Sequence, residues 1–202
     1  MDDSFPSASD VLERLEEAER LKILGHHKEA LVILEQLLIE DPQNISALEE
    51  IADNELSLEC YDRAEAAAKQ AIDLDCKSYT GLYILGFIAS HREKWDEAIE
   101  LLSSANHLKA NNPEILRCLG WALFNGGRRA QGIVTLERAL NLDRDNPLTL
   151  CDLGVTHLQV QNFPKAKALF TRVLDLDPEN ERARECVEAV GRIEESVKKG
   201  KK

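Results

Sequence analysis

The sequence predicts an all-α fold, a right-handed solenoid of antiparallel helical hairpins. Three observations carry that prediction: the chain resembles itself at an offset of 34 residues, helix-capping residues recur at one place in every unit, and the composition favours helices. Aromatics are scarce at 5 %, and Ala, Leu and Glu dominate, side chains that lose little rotamer freedom in a helix. With 202 residues, 44 % of them hydrophobic, the chain has enough apolar surface for a folded core.

The caps set the frame. Asp10, Asn44, Ser78, Asn112, Asn146 and Asn180 follow one another at intervals of 34, and each carries a side chain that can accept a bond from the free N–H groups of a helix start. Pro113 and Pro147 stand directly after two of them, where a fixed φ suits the first turn and the missing N–H costs nothing. Five units follow, 11–44, 45–78, 79–112, 113–146 and 147–180, preceded by a tail over 1–10.

Within each unit the packing positions repeat. Position 4 reads Arg14, Leu48, Leu82, Leu116 and Leu150, and position 7 reads Glu17, Ile51, Leu85, Leu119 and Leu153, with the first unit the exception at both. Small residues fall where two helices must approach closely: Ala18, Ala52, Gly86, Gly120 and Gly154 at position 8, and Ala30, Ala64, Ala98, Gly132 and Ala166 at position 20. Position 27 adds Leu37, Ala71, Ala105, Ala139 and Val173. The turn that stops the second helix has Pro42 and Pro178 at the ends of the array and relies on Asp, Asn and Ser in the middle units. Beyond the fifth unit, 181–198 reads as an amphipathic capping helix with Val187, Val190, Ile193 and Val197 on one stripe, and 199–202 as a solvated basic tail.

This period, with small residues at positions 8, 20 and 27 and large apolar ones at 4, 7 and 24 (Leu34, Leu102, Leu136 and Phe170, with Ala68 in the second unit), resembles the tetratricopeptide repeat family over residues 11–180. The resemblance implies a superhelix whose first helices line a concave groove, and a function in binding other proteins.

Charge narrows the partner. The net charge is −12, and residues 1–78 hold 20 acids against 7 bases while residues 79–202 hold 17 against 18. An acidic protein with so negative a half repels phosphate backbones and anionic headgroups, so neither nucleic acid nor membrane is expected as a partner. The first residues have no basic-then-apolar leader pattern, and no apolar run approaches about 18 residues. Five scattered cysteines, Cys60, Cys76, Cys118, Cys151 and Cys186, form neither a disulfide framework nor a zinc spacing and suit a reducing, cytoplasmic location.

No catalytic constellation is evident. The glycines do not cluster before a helix as a phosphate cradle requires, and Gly126-Gly127-Arg128-Arg129 reads as a hairpin turn. His26 and His27 are expected in the first unit's turn, in solvent. His157, at position 11, is expected as a hydrogen-bonded core residue, Trp95 as core, and Cys118, Cys151 and Cys186 as small packing residues. No enzyme activity, cofactor or metal is expected.

The family pattern places positions 2, 5, 9, 12 and 13 of each first helix in the groove. There the third to fifth units carry Tyr83, Phe87, Arg117, Trp121, Phe124, Val155 and Leu158, with His91 and Asn125 alongside. Trp, Tyr and Arg dominate interface hot spots because they bury much area at modest entropic cost. The first two units offer an acidic groove of Glu19, Glu49 and Asp53, with Glu16 and Glu50 adjacent. A subset of the family clamps the acidic C-termini of heat-shock chaperones with Lys, Asn and Arg; the corresponding positions here are Leu15, Glu19, Glu50, Thr80 and Ile84, which do not suit a carboxylate. The expectation is a scaffold or adaptor that holds a protein or peptide segment, amphipathic and basic. The alternative is a structural module that self-associates, as a homodimer, through Leu12, Leu15 and Ile23 of the first unit.

Overall fold

A computed structural model describes residues 8–199, with side chains described through residue 193. Expectations for residues 1–7, residues 200–202 and the side chain of Val197 lie outside the described residues. Eleven helices follow in order: α1 (Ala8–Ile23), α2 (His27–Glu40), α3 (Ile45–Ser57), α4 (Tyr61–Leu74), α5 (Tyr79–His91), α6 (Trp95–Leu108), α7 (Pro113–Asn125), α8 (Arg129–Leu142), α9 (Pro147–Gln159), α10 (Phe163–Leu176) and α11 (Glu181–Lys199). The fold is all-α among the described residues.

Two kinds of punctuation shape each hairpin. The first helices of the second to fifth hairpins are capped by side chains: Asn44 accepts from the Ala47 amide, Ser78 from Gly81, Asn112 from Glu114 and Ile115, and Asn146 from Thr149. Asn180 caps α11 through Ala183 in the same way. Each such cap contributes about 1 kcal/mol. Asp10 departs from the expected pattern, for it lies inside α1, with its carboxylate 3.4 Å from Arg14. Acids are favoured within a first helical turn as well as before it, so Asp suits either place.

The turn inside each hairpin is built differently. The N–H of the residue before the second helix bonds back to the carbonyl five residues earlier: His26 to Leu21, Cys60 to Glu55, Lys94 to Ala89, Arg128 to Leu123 and Asn162 to His157, at 2.8–2.9 Å. This six-to-one bond requires the intervening residue in the left-handed region. Gly25, Glu59, Glu93, Gly127 and Gln161 accordingly have φ between 57° and 89°.

The helices form two compact units, Met1–Lys109 and Ala110–Lys202. The division falls in the turn after α6, where Lys109 stands in place of the Asp found at 41, 75, 143 and 177. Asp41, Asp75 and Asp177 each accept from the amide two residues on, and Lys109 has no such acceptor.

The first unit packs three hairpins around Ala18, Ala30, Leu34, Leu37, Ala52, Ala64, Ala68, Ile84 and Ile88. Arg14 and Glu17, which replace apolar residues of the other units, are paired instead, Arg14 with Glu40 at 2.7 Å and Glu17 with Arg20 at 2.6 Å. In the second unit two hairpins and α11 bury Leu116, Leu136, Leu150, Leu153, Phe170, Val173, Ala183 and Val190. The small positions are obligatory here: a Cβ on Gly120 would lie 2.7 Å from Cγ of Leu136, and one on Gly154 2.6 Å from the Phe170 ring. None of the described helices is long and apolar enough to cross a membrane.

Candidate functional site

In the first unit, Tyr83 and Phe87 lie one turn apart on α5, and both are half-buried. Tyr83 packs partly against the core cluster. The ring of His91 meets that of Tyr61, with centroids 4.4 Å apart. Among the acidic positions Glu19 is exposed, Glu49 accepts from the Ser78 hydroxyl at 2.5 Å, and Asp53 lies on α3 with Glu50. Lys22 of α1 reaches between those last two, 2.7 Å from Glu50 and 3.0 Å from Asp53. Burial disfavours the Lys22 cation, but both carboxylates hold its pKa above the ordinary value. The acidic surface is thus partly neutralised from within, while Glu16 and Glu19 of α1 remain exposed.

The second unit has one residue where the expectation fails. Phe124 is 2 % exposed and belongs to the core, so it cannot meet a partner. The cause is the neighbouring glycine pair: Gly120 and Gly132 let α7 and α8 approach until a Cβ on Gly132 would sit 2.6 Å from the Phe124 amide nitrogen. Phe124 is enclosed by that approach, with the Arg129 guanidinium 5.8 Å from its ring centroid.

Arg117 is also not a free cation. Its side chain is 12 % exposed and bridges Glu114, at 2.5 Å, and Asp152 of α9, at 2.8 Å. Burial works against its charge, but the hydrogen bond to Glu114 and the surrounding negative groups outweigh it, and the guanidinium stays protonated at any working pH. Around this closed network Trp121, Val155 and Leu158 remain half-buried. Asn125 donates its amide to the Trp121 carbonyl at 2.9 Å. The second unit therefore presents an apolar surface with one large aromatic, beside an arginine already engaged.

Three further expectations change. His27 is not solvated, since its Nδ1 lies 3.0 Å from Oδ1 of Asn54, itself fully buried. Trp95 is half-buried at the first position of α6. His157 is buried as expected, but neither ring nitrogen has a hydrogen-bond partner among the described residues. Among the described residues no group of three or more His, Cys, Asp or Glu side chains could hold a metal ion.

A family model described as tetratricopeptide repeat matches residues 49–113. Residues 49–113 carry tetratricopeptide repeats. Solved structures agree on the fold: TTC0263, a thermophilic tetratricopeptide-repeat protein of Thermus thermophilus, is 22 % identical, with 89 % of this chain and 97 % of that one covered at a TM-score of 0.71. YrrB, a tetratricopeptide-repeat protein with an unusual peptide-binding site, is 20 % identical over 87 % of this chain and 90 % of its own, at 0.62. A chain of the APC/C hetero-tetramer Cut9–Hcn1 is 20 % identical and gives 0.79 over 89 % of this chain, which spans 36 % of that larger one. At such identities the likeness is one of fold. No curated protein sequence matches the chain.

The pairings Lys22–Glu50/Asp53 and Arg117–Asp152 escaped the sequence reading because they join neighbouring hairpins, at separations of 28, 31 and 35 residues. Comparing each unit's positions 5 and 12 with positions 6 and 9 of the next is the signal that finds them.

Proposed function

We propose that the chain is a protein-interaction scaffold or adaptor that holds a segment of a partner protein against the exposed faces of its first helices. The tetratricopeptide fold mediates protein–protein interaction in general, and YrrB, similar in fold, has a peptide-binding site. The observation that carries the proposal is Trp121, a large aromatic at a groove position of the family that stays half-buried outside the core, with Val155 and Leu158 in the same state. In the first unit Tyr83 and Phe87 play the corresponding part beside Glu49 and Asp53. The segment is amphipathic, apolar where it meets the aromatics and basic where it meets the acids. Phe124 is dropped as an anchor, and Arg117 positions carboxylates instead of binding the segment.

The test is affinity capture with wild type beside Trp121→Ala and Phe87→Ala, after circular dichroism shows equal helicity. A protein recovered by wild type and lost from either variant supports the reading, and identical recoveries from all three refute it. Lys22→Ala frees Glu50 and Asp53, so it should tighten binding of a captured basic segment; weaker binding would remove the acidic positions from the site.

A second reading rests on α1, where Leu12 is 56 % and Ile23 76 % exposed. A second copy meeting this face would give a homodimer. Sedimentation mass that rises with concentration and returns to the monomer value on Leu12→Glu would favour it.

A further inference from the structure

One buried titratable group has no part in the surfaces described above. His157 is 5 % exposed at position 11 of its repeat, near the end of α9, and its carbonyl accepts the Asn162 amide bond, at 2.8 Å, that forms the α9–α10 turn.

The repeat supplies its own comparison. Position 11 holds Leu21, Glu55, Ala89, Leu123 and His157. In the second repeat Arg63, at position 19, lies 2.6 Å from Glu35 of the preceding hairpin and 2.8 Å from buried Glu55, so the base is flanked by two acids. In the fifth repeat the same positions are Lys165, 2.5 Å from Glu137 of the preceding hairpin, and His157. The arrangement is the same, but the buried acid is replaced by an imidazole. Neutral His157 fits this site as Leu123 fits the previous one. A protonated His157 would instead be a buried cation beside the Lys165 ammonium, with no acceptor on either ring nitrogen among the described residues.

We propose that His157 makes the α9–α10 hairpin acid-labile: protonation of its ring places an unpaired cation in the packed interior of the second unit and loosens the turn anchored on its carbonyl.

The charges that act on the ring come from both flanking helices, Lys165 of α10 against the proton and Glu137 of α8 in its favour. Burial is the largest influence and, with Lys165, holds the pKa of His157 below the ordinary imidazole value. The unfolded chain therefore takes up a proton that the folded chain refuses, and stability falls as pH drops below about 6.5 toward the depressed folded value.

The test compares melting temperatures at about pH 7.5 and about pH 5.5, either side of the ordinary imidazole value, for wild type, His157→Leu and His157→Glu. On acidification the wild type should lose about 3–5 °C more than His157→Leu, the shift that a tenfold change in unfolding equilibrium produces at this chain length. His157→Glu, which recreates the Glu55–Arg63 pairing with Lys165, should also be spared. An NMR titration of the wild-type histidines decides the matter independently of how the variants fold. The His157 Cε1–H resonance should titrate below the ordinary imidazole value of about 6.5, or be lost with unfolding first. Equal losses for wild type and His157→Leu, or a His157 resonance that titrates at or above the ordinary imidazole value of about 6.5, would overturn the proposal.

Discussion

Replacing Gly132 by Ala separates what the repeat pattern favours from what the packing permits. Position 20 is Ala in the other four repeats, each fully buried, and Ala is a better helix former than Gly by about 0.8–1 kcal/mol. Both considerations predict stabilisation. The packing predicts the opposite, because the added Cβ would stand 2.6 Å from the Phe124 nitrogen and 2.7 Å from the Gly120 carbonyl oxygen. These are backbone atoms, which cannot swing aside, so α7 and α8 must separate and loosen Phe124 and Leu136. Overpacking of this kind costs typically about 1–3 kcal/mol, and rigid neighbours place Gly132 at the upper end, leaving about 1–2 kcal/mol of net destabilisation. Gly191→Ala is the control: it lies in α11 with nothing within 4 Å of an added Cβ, so it should gain the full propensity term. Urea midpoints followed by circular dichroism should move in opposite directions for the two variants. A Gly132→Ala protein as stable as wild type would show that the glycine pair does not set the α7–α8 approach.

Glu59, Glu93 and Gln161 occupy a left-handed turn position that Gly25 and Gly127 fill without strain, so Glu93→Gly should stabilise by about 0.5–1 kcal/mol and Gly127→Ala should destabilise by a similar amount, read as urea midpoints. Asp152→Ala removes a partner from the buried Arg117 and should cost about 2–3 kcal/mol, below the usual cost of breaking a buried pair because Glu114 remains. Asp145→Ala breaks an exposed pair with Arg172 and should cost less than about 1 kcal/mol; similar losses would mean the Arg117 network is not buried in solution. Thiol titration with an aromatic disulfide should find Cys60 and Cys76 fast and Cys118 last, since Cys118 is 4 % exposed and burial raises its pKa far above the ordinary thiol value.

The helical hairpins were legible because their signals are local. A cap such as Asn146 and its neighbour Pro147 mark a helix start on their own, and a small residue at position 8 faces a large one at position 24 of the same hairpin, Gly154 against Phe170. The left-handed turn position was not, because three of its five occupants are Glu or Gln, which carry no turn signal. There the backbone bond to the position 11 carbonyl imposes the conformation on whatever residue is present. Asp10 was misplaced for a related reason, since a residue type favoured on both sides of a helix boundary does not locate it.

The candidate surface was legible by position and obscure by partnership. Counting charges on single repeats presented Asp53 as a free acid and Arg117 as a free cation, yet each is matched by a residue from the adjacent hairpin. Phe124 was misjudged because its burial depends on how closely two helices approach, which Gly132 sets from the opposite helix. These corrections alter the kind of recognition the surface can support. An arginine closed on two carboxylates offers no anion site, and a half-neutralised acidic patch gives weak electrostatic selection. What remains unengaged at groove positions is aromatic and aliphatic: Phe87 in one unit, and Trp121, Val155 and Leu158 in the other. Discrimination among partners must then come chiefly from the shape and spacing of apolar side chains. Salt should accordingly affect the capture of a partner less than Trp121→Ala does.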